Sequence, residues 1–589
     1  MKVKHLKVER FRGIRELDWT LEGNTVCLVG QGDSAKSTIL DAIELVLSSR
    51  WNLSFSDSDF YNADCSTPIV IKATVGELPP ELLTEDRFGL FQRGWDLEKG
   101  LVDEPDDGHE VVLTIQLFVD DSLEPQWTVI TDRYPEGKKI SSRDRERIGV
   151  TRLGTNVDRD LSWGRGSVLA RFTDDSEDLS RAMADAYRCA RRSFASGCTP
   201  TLDDAAHRAQ KAAGQLGVGA SAGEAFRPGL DTRIVTPIVA AVCLHDGEIP
   251  LRLAGLGSRR LTAFALQRTG IALGAVVLID EIEHGLEPYR LRNLLRFLQT
   301  PPDSSPSAEA ADSASLGQVI MVTHSPVVVT ELMADQVSVV HRECDRIRIL
   351  QASRELQPLI RACPSALLSQ RVVVCEGRTE LGLLRGLENY WAERHGGIPP
   401  AYYGVDFTEG GGRTDGPTRA LHLANLCYEV AYLGDSDQPI EPNETILEQN
   451  GVQVILWGDM VSLEQRICLD LPFKELQKVM DLAVEILGEK LEDPEQAVLS
   501  RIANQLDCAL TSLGKEVASW FAPNRDEAMI RQAIGAAAKD DHSNKKRKGW
   551  FKDIEAGKAL AKLVAAALPS IPNSDLARKL RALEDWMYA

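Results

Sequence analysis

The sequence predicts an α/β protein of two units, each a largely parallel sheet covered by helices, with an insertion dividing the first. Three observations carry that reading. Short apolar strands at Thr25–Val29, 275–279 and 319–322 each end in a polar turn, the pattern of strands buried on both faces. A second series begins at Arg371–Cys375 and continues at 430–433 and 452–457, with a helical stretch after each. Such alternation implies parallel pairing through crossover helices. At 589 residues the chain is also too long for one core.

The first unit opens with Val3, Leu6, Val8 and Phe11 as a loosely alternating strand, and 39–47 has the spacing of an amphipathic helix. Strand-like runs follow at 69–75, Glu110–Val119 and 127–130, then Ala- and Arg-rich helical stretches over 178–217. The next chemistry-bearing motif appears only after residue 250, so 66–235 reads as an insertion. The run PPDSSPSAEAADSASL at 301–316 is a solvated, low-complexity loop. The organisation expected is 1–65 and 236–355 for the first unit, 66–235 for the insertion and 366–589 for the second unit, with the boundary near 350–368. There is no heptad array and no fixed-period repeat.

Composition narrows the function classes. A net charge of −20 argues against a surface coated for nucleic-acid binding and leaves room for a local basic groove. Eleven cysteines include no C-x-x-C pair, so neither a zinc knuckle nor a disulfide framework is indicated, and a reducing cytoplasm is expected. No apolar run approaches the ~20 residues of a membrane span, and the N-terminus leads into a strand, so no membrane partner is expected.

The segment Gly30-Gln-Gly32-Asp-Ser34-Ala35-Lys36-Ser37-Thr38 lies between a buried strand and a helix, the context of a phosphate-binding loop. Its glycines let backbone N–H groups turn onto phosphate oxygens, and the helix N-terminus adds positive potential. Lys36 is expected to reach the β- and γ-phosphates of ATP, and Ser37 to ligate magnesium. Ala35 stands where a glycine usually precedes the lysine, and a positive φ there costs roughly 1–2 kcal/mol. Read alone, the loop would also suit a plain glycine-rich turn.

The strand at 275–279 ends in Asp280-Glu281. Asp280 is expected to support the magnesium shell and Glu281 to polarise the attacking water. His324 ends the strand after that and reads either as a sensor of the γ-phosphate or as a structural histidine. Upstream, Leu253-Ala-Gly-Leu-Gly-Ser258-Arg-Arg260 precedes a helix; it reads either as a helix-start turn or as a segment whose N–H groups and Ser258 cap a nucleotide held by another subunit. The order of the four motifs is what makes the set specific.

In the second unit, Arg371–Cys375 leads into Glu376-Gly-Arg-Thr-Glu380, and the strand at 430–433 leads into Gly-Asp435-Ser-Asp437. Adjacent parallel strands bring such ends to one carboxyl edge. Carboxylates gathered there repel one another unless a cation neutralises them, and oxygen-only ligands suit Mg²⁺ or Mn²⁺. Such ions activate water in phosphodiester hydrolysis. Each motif alone would also serve as a helix cap.

The first set of motifs, with the opening Phe11-Arg12-Gly13-Ile14, resembles the ABC-type ATPase heads of SMC-like and RecF-like proteins. That resemblance implies a dimer with nucleotide between its heads, the insertion often carrying the dimer contact. The second set looks like a Toprim domain. A Toprim domain after an ABC ATPase resembles the OLD (overcoming lysogenization defect) family, with a layout similar to its Gabija anti-phage subunits. The resemblance assigns metal to Glu376, Glu380, Asp435 and Asp437, and a second metal to Glu464 and Asp459 in Trp457-Gly-Asp459-Met-Val-Ser-Leu-Glu464, where either acid would also serve as a helix cap. It assigns a catalytic role to Glu376 and to Lys548 or Lys552 in Asn544-Lys-Lys-Arg-Lys548-Gly-Trp-Phe-Lys552, as a charge that stabilises the scissile phosphate. The same basic run would also suit non-specific grip on a nucleic-acid backbone. Together these resemblances imply a nucleotide-regulated, metal-dependent endonuclease acting on DNA in bacterial anti-phage defence, as a homo-oligomer with a partner protein such as a helicase. A tRNA-cleaving toxin is the main competitor, since Toprim chemistry does not itself separate DNA from RNA. An SMC- or RecF-like repair ATPase is the other, though the coiled coils expected of an SMC protein are absent.

Overall fold

The computed structural model describes residues 1–50, 52–96, 98–154, 157–163, 167–169, 176–197, 199–215, 225–228, 242–269, 275–299, 317–343, 345–488, 491–539 and 549–589. The expected loop at 301–316, and Lys548 with the basic residues before it, lie outside these residues.

The first unit is organised by a 14-stranded sheet. Its parallel part runs, in order, Val150–Leu153, Val276–Ile279, Gln318–Val322, Thr25–Val29 and Val337–Glu343. Val276–Ile279 and Gln318–Val322 are buried throughout, which is why they read as unbroken apolar runs. Successive side chains leave on opposite faces, and the cores divide accordingly. Val26, Leu28, Ile320 and Val322 join the core that contains Ile39, Ile43 and Val46 of helix Lys36–Leu47. Cys27, Val29, Val319 and Met321 face the other way, into a core with Leu291, Leu294 and Leu298 of helix Pro288–Gln299.

The sheet continues through Arg346–Gln351, Ile14–Thr20 and Lys2–Phe11 to Ile69–Gly76 and Glu110–Val119. The span expected as an insertion, 66–235, contributes strands to this sheet: Ile69–Gly76 pairs antiparallel with Lys2–Phe11, Glu110–Val119 pairs with Ile69–Gly76, and Val150–Leu153 takes the far edge. The physical reason is the edge: Lys2–Phe11 would otherwise present a row of unpaired backbone groups. The helical expectation for this span falls on Ser176–Ser196 and Pro200–Gln215, which are helices.

The second unit carries a four-stranded parallel sheet in the order Val405–Glu409, Arg371–Cys375, Glu429–Gly434, Gln453–Leu456. Alternation again splits its strands. Val372, Val374, Val430 and Tyr432 enter the core shared with the first unit, while Val373, Cys375, Ala431 and Leu433 face a third core built with the C-terminal helices. The middle core therefore joins the two sheets. Among the described residues, no helix is long and apolar enough to cross a membrane.

One helix pair in the third core needs glycine. Helix Arg378–Arg394 crosses helix Ile554–Ala567 so closely that a Cβ on Gly382 would sit 2.3 Å from the Ile554 carbonyl oxygen and 2.9 Å from the Gly557 Cα. This contact fixes the segment before Ile554, which includes Phe551 and Lys552, against the start of the first helix. Gly382→Val is expected to lower stability by about 1–3 kcal/mol through overpacking, read as a shift of the urea midpoint.

Candidate functional site

The first site is the cleft above the parallel strands of the first unit. Strand Thr25–Val29 ends at Gly30, whose φ is +134°; a Cβ there would lie 2.6 Å from the Val340 carbonyl oxygen. Gly30 thus lets the loop leave the sheet against the neighbouring strand, and it does not line the cleft. Gly32, Asp33, Ser34, Ala35, Lys36, Ser37, Thr38, His324, Gly13 and Arg342 do, around a volume of about 680 Å³. Ala35 sits in the left-handed region at φ 67° as the residue capping helix Lys36–Leu47, and no side chain caps that N-terminus among the described residues. The first N–H groups of the helix are thereby left to the cleft. Lys36 is buried and turned onto the loop, donating to the Gly30 carbonyl at 3.1 Å, to Ser34 Oγ at 3.0 Å and to the Gln31 carbonyl. Burial lowers its pKa to about 8, against the pull of Asp33 and Asp280.

The strand-end acids are placed by Ser37 and by partners that the sequence did not single out. Ser37 Oγ donates to Asp280 Oδ1 at 3.2 Å, and Arg152 Nη2 donates to Asp280 Oδ2 at 2.7 Å. Arg152 also holds Asp41 and Glu44 of helix Lys36–Leu47, so one guanidinium ties that helix to the acidic strand end. Glu281 has φ 43° and an exposed side chain 3.6 Å from His284 Nδ1. The turn beneath it is held by buried Arg260, which donates to the carbonyls of Asp280, Glu281 and His284 at 2.7–2.8 Å. Glu283 links the two motif strands by accepting from Thr323 Oγ1 and from the His324 N–H, both at 2.6 Å. His324 itself is exposed at the cleft. Ser258 lies outside the cleft lining, on helix Leu256–Thr269, where its Oγ accepts from Arg290 Nη1 at 3.2 Å. Arg260 is legible in the run Ser258-Arg-Arg260 and Glu283 lies two residues past Glu281, whereas nothing local marks Arg152.

The second site is the carboxyl edge of the four-stranded sheet. Cys375 stands opposite Leu433 in parallel register, which sets Glu376 beside Asp435. The Glu376 carboxylate accepts from the Asp435 N–H at 2.9 Å, and Asp435 Oδ1 accepts from the Leu463 N–H at 2.8 Å. Glu380 accepts from the Gly377 N–H at 3.0 Å, closing the N-terminus of its own helix. Glu464 is 2% exposed and takes Ser462 Oγ at 3.0 Å and the Lys552 ammonium at 2.9 Å. Lys552 is presented by Trp550 and Phe551, both buried, with the Phe551 carbonyl accepting from Thr379 Oγ1 at 2.7 Å.

These acids feel one another. Burial raises Glu376; burial and then Glu464 raise Glu380 to about 7; burial and then Glu380, Glu464 and Glu376 raise Asp435 well above the carboxylate range. Asp437 is set differently, paired with Lys539 and, at 3.8 Å, with Arg413. Asp459 is held differently again: its side chain is 78% exposed and bonds Arg466 at 2.6 Å. Among the described residues no three His, Cys, Asp or Glu side chains converge as they would around a metal ion. The expected six-carboxylate set is not drawn to one point, since backbone N–H groups, Lys552 and Lys539 hold its members instead. The donor chemistry nevertheless fits a hard divalent cation: Glu376, Glu380, Asp435 and Glu464 offer only oxygen, and their mutual penalty is what such a charge relieves.

Two outcomes are expected at the cleft. Ala35→Gly relieves the left-handed strain and is expected to stabilise by about 1 kcal/mol, read from thermal unfolding. Lys36 is charged below its lowered pKa and neutral above it, so affinity for a fluorescent ATP analogue is expected to fall as pH rises through about 8; Lys36→Met should bind weakly and without that dependence.

Comparison with known proteins bears on the first unit. No curated protein matches the chain. Among solved structures, an SMC head bound to the C-terminal winged-helix domain of ScpA is 13% identical, with a TM-score of 0.33, covering 60% of this chain and 98% of that one. The SMC head domain from Thermotoga maritima is 13% identical, with a TM-score of 0.28, covering 60% of this chain and all of its own. Both likenesses are too distant to carry an argument. The family profile described as "AAA domain, putative AbiEii toxin, Type IV TA system" matches residues 26–330, more than half of the chain, from the phosphate-loop strand past His324. The chain therefore belongs to this AAA-domain family, and its first unit is an ATPase domain.

Proposed function

We propose that the protein is a nucleotide-regulated nuclease, in which the ATPase unit governs a carboxylate centre that hydrolyses phosphodiester bonds with Mg²⁺ or Mn²⁺. The observation that supports it most is the set of Glu376, Glu380, Asp435 and Glu464 at one sheet edge beside Lys552, where burial and the neighbouring carboxylates raise Glu380 and Asp435. Buried carboxylates shifted upward at one strand-end edge, with oxygen-only donors, are what a divalent cation would neutralise. The ion, when bound, supplies an activated water. The chain's own share is placement: backbone N–H groups of Gly377, Asp435 and Leu463 orient the acids, and Lys552 offers a positive charge to a phosphate oxygen.

In this reading the second unit is a Toprim domain of the OLD type and the biological setting is anti-phage defence, in the manner of Gabija subunits. Both rest on the sequence resemblance. In the ATPase unit Lys36 and Ser37 act on the phosphates and magnesium of ATP, Asp280 supports the ion, Glu281 orients water, and His324 meets the γ-phosphate. Ser258 acts across a dimer, on the nucleotide of a second copy. RNA is the second substrate to test, because the family description names a toxin of a toxin–antitoxin system.

The test is cleavage of plasmid DNA, linear DNA and total tRNA with Mn²⁺ or Mg²⁺, with and without ATP. Glu376→Gln is expected to reduce cutting by ~10²–10⁴-fold. Without metal Glu380 holds its proton up to about 7, so the ion must displace that proton and Mn²⁺ affinity should weaken as pH falls below that value. Cutting that survives in Glu376→Gln would sink the assignment, and cutting of tRNA alone would replace DNA as substrate.

A further inference from the structure

Asp437 differs from the other acids of the second site in pairing with two cations. Lys539 ends helix Glu527–Ala538, a position where a positive charge is favoured by the helix dipole, and its ammonium pairs with Asp437 Oδ2. Arg413 reaches Asp437 Oδ1 at 3.8 Å from the other side. The loop that carries it is glycine-rich. Gly411 and Gly412 have φ of 87° and 101°, and the Gly412 N–H donates to the Glu376 carbonyl at 2.8 Å. Arg413 is thus held beside Glu376, whose carboxyl it acts to lower. The Asp437 side chain is 13% exposed, against 25% for Lys539 and 30% for Arg413. The cations are the more open partners and the acid lies beneath them. Two positive charges thus meet Asp437 at the edge of an acidic centre, where a polyanion would otherwise be repelled.

We infer that Lys539 and Arg413 form a phosphate clamp latched on Asp437: the backbone of a nucleic-acid strand takes the two cations and frees the Asp437 carboxylate to face the acidic edge. This inference rests on the nuclease reading for its substrate class. An arginine fork suits a phosphate at least as well as a carboxylate, and the freed Asp437 carboxylate is then left for the cation of the proposed centre. The acid competes with substrate, so the site stays closed until a strand is seated.

The experiment is fluorescence anisotropy of a labelled DNA duplex, and of an RNA of the same sequence, with full-length protein in EDTA, where nothing is cut. Lys539→Gln with Arg413→Gln is expected to weaken binding by about tenfold at moderate salt and to reduce the slope of log K against log[salt] by about 0.9 per cation for the duplex. Asp437→Asn is expected to tighten binding severalfold. General electrostatics would also do this, so the deciding measurement is Asp437→Asn made in the background lacking both cations. If the latch is real the gain disappears there. An equal gain in both backgrounds, no gain in either, or absence of wild-type binding to both probes overturns the inference. Binding that follows this cycle in a protein that never cuts with Mn²⁺ would remove the nuclease reading and leave the clamp. Cutting that persists while the cycle fails would do the reverse.

Discussion

At the carboxyl edge of the four-stranded sheet, Glu376, Glu380, Asp435 and Glu464 lie in one another's fields, and burial alone pushes such groups to give up their charge. The arrangement holds because each acid is given a specific partner. Glu376 and Asp435 accept from the backbone that presents the next acid, Glu380 closes its own helix, and Glu464 has Lys552. The first unit solves the same problem with side chains: Arg152 and Ser37 for Asp280, and Thr323 with the His324 N–H for Glu283. Compensation of strand-end charge thus sets which residues can be functional in both units and which loops must lie beside them.

The middle core gives the two edges a common support. Strand Val337–Glu343 places Val340 against Gly30, and Arg342 at the cleft. His341, between them, is buried and packs edge-on to Tyr428, 5.1 Å between ring centres. Tyr428 in turn donates to the Leu367 carbonyl at 2.7 Å. One strand therefore touches the nucleotide loop on one face and the second unit on the other, because adjacent residues of a strand point to opposite sides.

Much of this was legible in the residues. The strand–loop–helix around Lys36 is a local feature: an apolar strand, a glycine to leave it, and apolar residues at Ile39, Ile43 and Val46 at helical spacing. Arg371–Cys375 and Glu429–Gly434 announce themselves as buried strands, and their register brings Glu376 to Asp435. The exposure of Asp459 and its pairing with Arg466 are not visible in spacing alone. The strands at Ile69–Gly76 and Glu110–Val119 were seen as strands but not as part of the first sheet, since their partners lie tens of residues away.

By itself the sequence determined what depends on neighbours along the chain: element type, the polar residues at strand ends, and the order of the motifs. Tertiary structure alone decided what depends on residues remote in the chain. It brought Arg152 to Asp280 across 128 positions, Lys552 to Glu464, and Lys539 to Asp437 across 102. A cation on a surface run is indistinguishable in sequence from one aimed at a buried acid, because its role is set by the carboxylate it faces and by the water that burial removes.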